Sequence, residues 1–170
     1  NSNFFEKFEK YDFKLWQKSL NGHLSGTFIV TKSVVSHMLK RKHGSIINIA
    51  SDIGIISPDH RIYEPNKRYK YKGVDFNTPI SYSVAKSGII SMTRYLATYW
   101  AKKGIRVNCI SPAGVYKKHN KKFVEQLSQR IPLGRMANPH ELNGAIIYLC
   151  SNASSYVTGH NLVVDGGRTS

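Results

Sequence analysis

Tyr82 and Lys86 stand four residues apart in SYSVAKSG, residues 81–88, where a segment of helical periodicity begins. Positions i and i+4 lie one above the other on a helix, so a phenol and an ammonium at this spacing share a face. A free phenol has a pKa of ~10 and exchanges protons poorly at neutral pH, but a nearby ammonium favours the phenolate and lowers that value. Bringing the phenol toward neutrality takes roughly 3 to 4 kcal/mol of differential interaction, within reach of a close cation in a partly dry site. A hydroxyl such as that of Ser51, just after the apolar run SIINIA, could hold a carbonyl or alcohol oxygen against the tyrosine. Taken alone, a Tyr-x-x-x-Lys pair is a weak signal, and a solvated helix edge accounts for it more readily.

The elements that would carry these residues are legible from periodicity. Residues 4–20 mix aromatic and charged side chains and read as helical around DFKLWQKSL. A helix over 24–41 is expected from Phe28, Thr31, Val35 and Leu39 at helical spacing, closed by the basic turn and glycine of KRKHG. SIINIA, 45–50, suits a buried parallel strand. A second long helix over 81–103 buries Ala85, Ile89, Met92, Leu96 and Trp100, widened by Ile90, Ala97 and Ala101. IRVNCI is the next strand, and a helical stretch lies near 119–129. Asn138-Pro139-His140-Glu141 supplies an N-cap, a first-turn proline and a capping-box glutamate for a helix continuing through Leu142, Ala145, Ile146 and Leu149. NLVVDGG is a last strand ending in a glycine turn. This alternation predicts an α/β fold with a parallel sheet covered by helices. Ligands of such sheets sit beyond the carboxyl ends of the strands, which is where Ser51 and the segment 111–115 fall.

Residues 52–79 interrupt the rhythm with Pro58, Pro65 and Pro79, five Lys/Arg between Arg61 and Lys72, and Tyr63, Tyr69 and Tyr71. Loops of this length are usually functional or mobile, and a basic solvated loop is the plain alternative. The 170 residues form one domain, 1–170, and the 41% hydrophobic share argues against general disorder. No apolar run approaches the ~20 residues of a membrane span, and no secretory pattern opens the chain. Cys109 and Cys150 sit in apolar segments without metal-ligand spacing and read as buried thiols in a reducing compartment. A cytoplasmic protein without a metal centre follows by default. The net charge of +15 admits two readings. One is a nucleic-acid footprint, best supported by the aromatic-basic run RIYEPNKRYKYKG; the other, favoured by the even spread of lysines, is a basic surface.

The motifs occur in one order: GSIINIAS, then SYSVAKSGIISMTRYLA, then GIRVNCISPAGV, then ASSYVTGHNLVVDGG. As a set they resemble the short-chain dehydrogenase/reductase family, from about Trp16 to Gly167. The resemblance implies a Rossmann-like doubly wound sheet and hydride transfer between NAD or NADP and a carbonyl or alcohol. It implies Tyr82 as acid/base, Lys86 as its cationic partner and a contact of the nicotinamide ribose, and Ser51 as the residue positioning the reacting oxygen. Pro112, Gly114 and Val115 match the loop whose backbone meets the nicotinamide end. It further implies a homodimer or homotetramer through the helices 24–41 and 81–103.

Departures from the family pattern carry their own expectations. His23, in HLSGTF, takes the place of the family's catalytic asparagine, either in the proton relay or as a tolerated substitute. Ala113 stands where glycine is usual, and Lys117 is either a phosphate contact or solvated. The segments PDHRIYE and IPLGRMANPHEL are similar to a bacterial subgroup of surface-sugar and flagellin-modification pathways. In that setting 52–79 is an inserted lid, with Arg61, Lys67 and Arg68 over a sugar or nucleotide-sugar substrate. The chain holds no glycine-rich G-x-x-x-G-x-G turn and no Asn-Asn-Ala-Gly segment. Roughly three strand-helix units would supply them. The expectation is therefore the C-terminal part of a longer enzyme; a truncated chain with an assembly role is the alternative.

Overall fold

Asp12 starts the first helix by accepting hydrogen bonds from the backbone N–H of Lys14 at 2.7 Å and of Leu15 at 3.2 Å, which satisfies two otherwise orphaned donors. The computed structural model describes residues 4–63 and 77–170, with the backbone alone of 70–71 and 74–75 between them. Helix α1 (Phe13–Leu20) runs through a π-helical turn, Asn21–Ser25, directly into α2 (Gly26–Arg41). The two helices expected separately are thus joined, and Lys42 ends them in the left-handed region at φ 51°. Strand β1 (Gly44–Ile49) follows, then the two-residue strands β2 (Lys70–Tyr71) and β3 (Val74–Asp75), an antiparallel pair inside the insertion. Helix α3 (Ile80–Trp100), strand β4 (Ile105–Pro112), helices α4 (Lys121–Ser128) and α5 (Asn143–Cys150) and strand β5 (Asn161–Val164) complete the order.

The main sheet is parallel, in the order β1-β4-β5. Alternation along each strand sends neighbouring residues to opposite faces. Ile46, Val107 and Ile105 cluster with Val35 of α2 and with Ala97 and Trp100 of α3. On the same face, buried Asn48 donates to Thr93 of α3 at 2.9 Å. Ser45 and Arg106 face the other way and donate to the carbonyl oxygen of Leu149, which closes α5, at 2.8 and 3.0 Å. Helices therefore cover both faces, as a doubly wound Rossmann-like sheet requires. Each fully buried aliphatic side chain contributes roughly 1.5–3 kcal/mol to holding the layers together.

Two expectations about burial, for Ala101 and Cys150, are corrected, and two apolar helix positions, Phe28 and Ile146, prove to face outward. Phe28 is exposed, because α2 turns only Thr31 and Val35 fully inward. Ala101 leaves the core in a 3-10 turn after α3. In α5 only Leu149 is buried, while Ile146 faces outward with Ile147 and Tyr148. Cys109 is buried, but Cys150, at the helix end, is exposed. The capping of residues 138–142 is as expected: the Glu141 carboxylate accepts from the N–H of Asn138 at 2.7 Å. Among the described residues β1 has a neighbour on one side only, and the groove along it is lined by exposed Val30, Val34 and Ile49. No helix among the described residues is long and apolar enough to cross a membrane.

Candidate active site

The parallel register sets Ile49 beside Ile110, so β1 and β4 end at the same level. Ser51 leaves β1 in an extended conformation and opens a short 3-10 turn, Asp52–Gly54. That turn packs directly on the backbone of α3. A Cβ at Gly54 would lie 2.8 Å from the carbonyl carbon of Lys86, so glycine is needed for the approach. Ser87 of α3 clasps the same turn, its hydroxyl donating to the carbonyl of Gly54 at 2.9 Å. This is how residues of two elements, 51 and 82–86, come to one place.

Ser51 and Tyr82 line one cavity, and Ser51 favours the ionised form of the Tyr82 phenol. The Lys86 ammonium lies over the Tyr82 ring, 5.6 Å from its centroid, and donates to the carbonyl oxygen of Ile49 at 2.8 Å. His23, on the π-helical turn, meets the Tyr82 ring edge-to-face with centroids 5.5 Å apart. Ser51, Tyr82, Lys86 and His23 are thus brought together. Single π-turns inside helices recur at functional sites, and this one carries His23.

The electrostatics differ from the expectation that Lys86 makes Tyr82 acidic. Burial pushes the Tyr82 phenol above its ordinary value; Ser51 opposes this and the Asp52 carboxylate adds to it. Lys86 does not lower it, because the ammonium sits over the ring face and is spent on the Ile49 carbonyl. Burial also lowers Lys86 below the ordinary lysine value. His23 is lowered by burial and then by the Lys86 charge, so its imidazole is neutral at pH 7.

A cavity of about 360 Å³ opens on Ser51 and Tyr82. Ala113, Gly114 and Val115 line it from the end of β4, while Pro112 stands behind them and does not. A Cβ on Gly114 would come 2.4 Å from Leu127 Cδ2, so α4 packs tightly on that loop. A second, more open groove of about 530 Å³ lies on the other side of Lys86, along His23, Gly26 and Ile49.

The expected lid is docked where it is described. Ile62 joins Leu127, Ile131 and Met136 in an apolar cluster, and the Tyr63 ring stacks on Phe123 with centroids 6.0 Å apart. Asp59 binds Arg130 at 2.5 Å and Arg61 at 2.8 Å. Arg61 therefore pairs with Asp59 instead of lining the cavity. Lys67 and Arg68 lie outside the described residues. Sequence reasoning missed Asp52 and Arg168, which both line the cavity and form a buried ion pair. They are 116 residues apart, and no spacing signal links them. No cluster of three or more potential metal ligands exists among the described residues.

Two family descriptions match the chain: short chain dehydrogenase over residues 3–63, and enoyl-(acyl carrier protein) reductase over residues 70–169. The chain belongs to the short-chain dehydrogenase/reductase family. Within the family it is 36% identical over 168 residues to a 2-dehydro-3-deoxy-D-gluconate 5-dehydrogenase of Bacillus subtilis, covering 95% of this chain and 59% of that one. It is 35% identical to a 3-oxoacyl-[acyl-carrier-protein] reductase of Thermotoga maritima, covering 89% and 56%. A short-chain dehydrogenase from Leptospira borgpetersenii, solved with bound NAD+, superposes with a TM-score of 0.87 at 37% identity, over 98% of this chain and 61% of that one. A gluconate 5-dehydrogenase from Burkholderia cenocepacia, solved with NADP and tartrate, superposes at 0.82 with 29% identity, over 96% and 60%. The chain thus spans a little under three-fifths of the length of the curated family members it matches.

Proposed function

We propose that this chain carries the reacting groups of an NAD- or NADP-dependent oxidoreductase that interconverts an alcohol and a carbonyl on a small, sugar-derived substrate. The convergence of Ser51 and Lys86 on Tyr82 at the ends of β1 and β4 carries the reading. Tyr82 keeps its proton at neutral pH, since its pKa is raised, and is set to give it to a carbonyl oxygen that is gaining charge. Lys86 lies on the same helix face, its ammonium over the tyrosine ring and anchored to the Ile49 carbonyl, where it would meet the cofactor ribose. Ser51 holds the reacting oxygen, and the neutral His23 ring walls the tyrosine from solvent.

The residues present fit a nicotinamide cofactor at its reacting end. The Tyr82 phenol and the Ser51 hydroxyl edge the cavity on one side, the Lys86 ammonium lies over the tyrosine ring, and the close-packed Ala113–Gly114–Val115 loop lines the other side. Tyr82 and Lys86 would hold the ribose hydroxyls, and Gly114 and Val115 would flank the ring, with Pro112 behind them fixing the end of β4. When bound, NAD or NADP supplies or accepts the hydride. Hydroxyl and amide groups of Tyr63, Asn77 and Thr78 line the same cavity and suit a polyhydroxylated substrate, as do the gluconate-related relatives. Residues 52–79 are the lid in this reading, with its residues 59–63 packed on Leu127 and Phe123 of α4 and paired with Arg130 just beyond it. Exposed Tyr95 and Tyr99 on α3 and Ile29 and Val30 on α2 supply apolar faces for a homodimer or homotetramer.

The test is nucleotide-dependent turnover by the full-length protein on a panel of sugar acids, polyols and their keto forms. Replacement of Tyr82 by Phe is expected to cut turnover by about 10²–10⁴-fold. Turnover that survives Tyr82→Phe and Ser51→Ala would reject the site.

A further inference from the structure

After β5 the chain turns back through Gly166 and Gly167, both at positive φ (66° and 88°), a region that glycine enters without strain. The Asp165 carboxylate fastens that turn, accepting from the N–H of Gly167 at 2.9 Å and from both the N–H and the hydroxyl of Thr169 at 2.7 Å. The turn delivers Arg168 to the cavity that Ser51 and Tyr82 line. The Arg168 side chain is only 7% exposed, yet its donors are not used up. A guanidinium carries its N–H donors in a planar fork, and among the described residues this one has a single protein acceptor, Asp52 Oδ2, reached from Nη1. Ser19 Oγ and Ser83 Oγ are the described side-chain polar atoms sealed without a partner, so the spare nitrogens of Arg168 open on space and not on packed protein. That space is the cavity.

Asp52 offers the cavity little in return. Its Oδ1 accepts from Ser51 Oγ at 2.8 Å and from the N–H of Ile53 at 2.7 Å, and its Oδ2 accepts from Arg168. The pair therefore presents unused donors and few unused lone pairs. Ile62, Phe123 and Leu127 line the same cavity, and Asp52 is the sole carboxylate among its described lining residues. Apolar walls strengthen a charge-assisted bond, and a planar fork of donors matches a carboxylate. Ser51 and Arg168 bind the two oxygens of one Asp52 carboxylate, so an anion on Arg168 lies only a few bonds from a carbon reacting beside Ser51. We infer that Arg168 is the specificity-determining residue of this cavity and selects substrates that carry a carboxylate a few bonds from the reacting carbon. The inference rests on the proposed oxidoreductase site and narrows its substrates to hydroxy acids and their keto forms, against neutral polyols.

The experiment pairs each hydroxy acid with the polyol in which a hydroxymethyl group replaces its carboxylate: glycerate with glycerol, threonate with threitol, gluconate with glucitol. Binding to the full-length protein with its nicotinamide nucleotide is measured by titration calorimetry, and kcat/KM by steady-state kinetics. At least one acid is expected to exceed its polyol in both by about 10- to 100-fold, the worth of a charge-assisted hydrogen bond. Arg168→Lys keeps the charge and loses the fork, while Asp52→Asn with Arg168→Gln removes the pair as a unit and leaves no lone buried charge. The acid-to-polyol ratio is expected to fall in both, nearly to unity in the double variant, whatever happens to the absolute rate. A merely structural Arg168 would weaken both members of a pair alike, and a ratio unmoved in the double variant overturns the inference. Should that variant not fold, the ratio in Arg168→Lys decides. Acids that never exceed their polyols in the unsubstituted protein overturn it as well. Acid binding that depends on Arg168 in a protein without nucleotide-dependent turnover keeps the carboxylate subsite and removes the oxidoreductase reading instead.

Discussion

The ammonium of Lys86 donates to the carbonyl oxygen of Ile49 at 2.8 Å, tying the middle of α3 to the end of β1 two residues before Ser51. One side chain thereby fixes the distance between the two elements that carry the proposed chemistry and supplies the cation beneath the tyrosine. Lys86→Met keeps the aliphatic stem and removes the charge. We expect turnover of the full-length protein to fall by about 10²-fold or more, with a melting temperature only a few degrees lower. Steady-state kinetics beside a thermal scan check this; equal losses in both would make Lys86 a tether only.

Gly54 is the point of closest approach between the Ser51 turn and α3. An added methyl would meet the backbone at Lys86 and not a side chain able to swing aside. Gly54→Ala is expected to cost about 1–3 kcal/mol by overpacking and to lower activity through displacement of Ser51. Urea denaturation gives the first quantity. An unchanged midpoint would mean that the turn is not pressed on the helix.

Tyr63 and Tyr82 are both raised above the ordinary value of 10.0, in each case chiefly by burial. A raised folded-state pKa gives stability that is fully present below the unfolded value and lost as pH rises through the folded one. Stability should therefore fall on the alkaline side of pH 10.0, as the unfolded phenols ionise first. Tyr82→Phe should flatten part of that fall. Denaturant midpoints from pH 8 to 11 measure it, and identical slopes in the two proteins would contradict it.

Asp59 is held well below the usual carboxylate range by Arg61 and Arg130. A depressed pKa gives stability present above the unfolded value of 3.8 and lost as pH falls. The docking of residues 59–63 on α4 is expected to loosen in acid, and Asp59→Asn should loosen it already at neutral pH. Hydrogen exchange at 60–63 is the readout, and exchange that ignores both pH and the substitution would rule out the ionic part of the contact.

Glu141 is lowered to about 2 by Arg135 and by the N–H of Asn138. The cap before α5 should therefore persist until pH falls well below 4.5. Glu141→Gln keeps a hydrogen-bonding oxygen but loses the ion pair, so its acid-unfolding curve should be the shallower of the two below pH 4.5. Superimposable curves would assign the cap no ionic contribution.

The parallel strands and the long helices were legible because period 2 and period 3.6 survive in SIINIA, IRVNCI and the run from Ala85 to Trp100. Tyr82, Lys86 and Ser51 were legible through motif order. Their electrostatics were not: i and i+4 spacing puts Lys86 beside the Tyr82 ring, but only the fold reveals that the ammonium is committed to Ile49. Asp52 and Arg168 meet through closure of the chain's end onto the first strand, a contact with no local periodicity to betray it. The π-helical turn at His23 likewise leaves no signature in hydropathy. Phe28 and Ile146 mislead for a different reason: helical spacing finds an apolar stripe, but it does not say whether that stripe meets this chain's own core.

Among the described residues β1 is paired on one side only, which has a consequence for this stretch of chain taken by itself. Its outer row of backbone amides and carbonyls is a template for one more strand, and GSIINI carries neither proline nor charge to discourage an unwelcome guest. Residues 1–170 alone should therefore self-associate with rising concentration, and a lysine in place of Ile47 should make them better behaved.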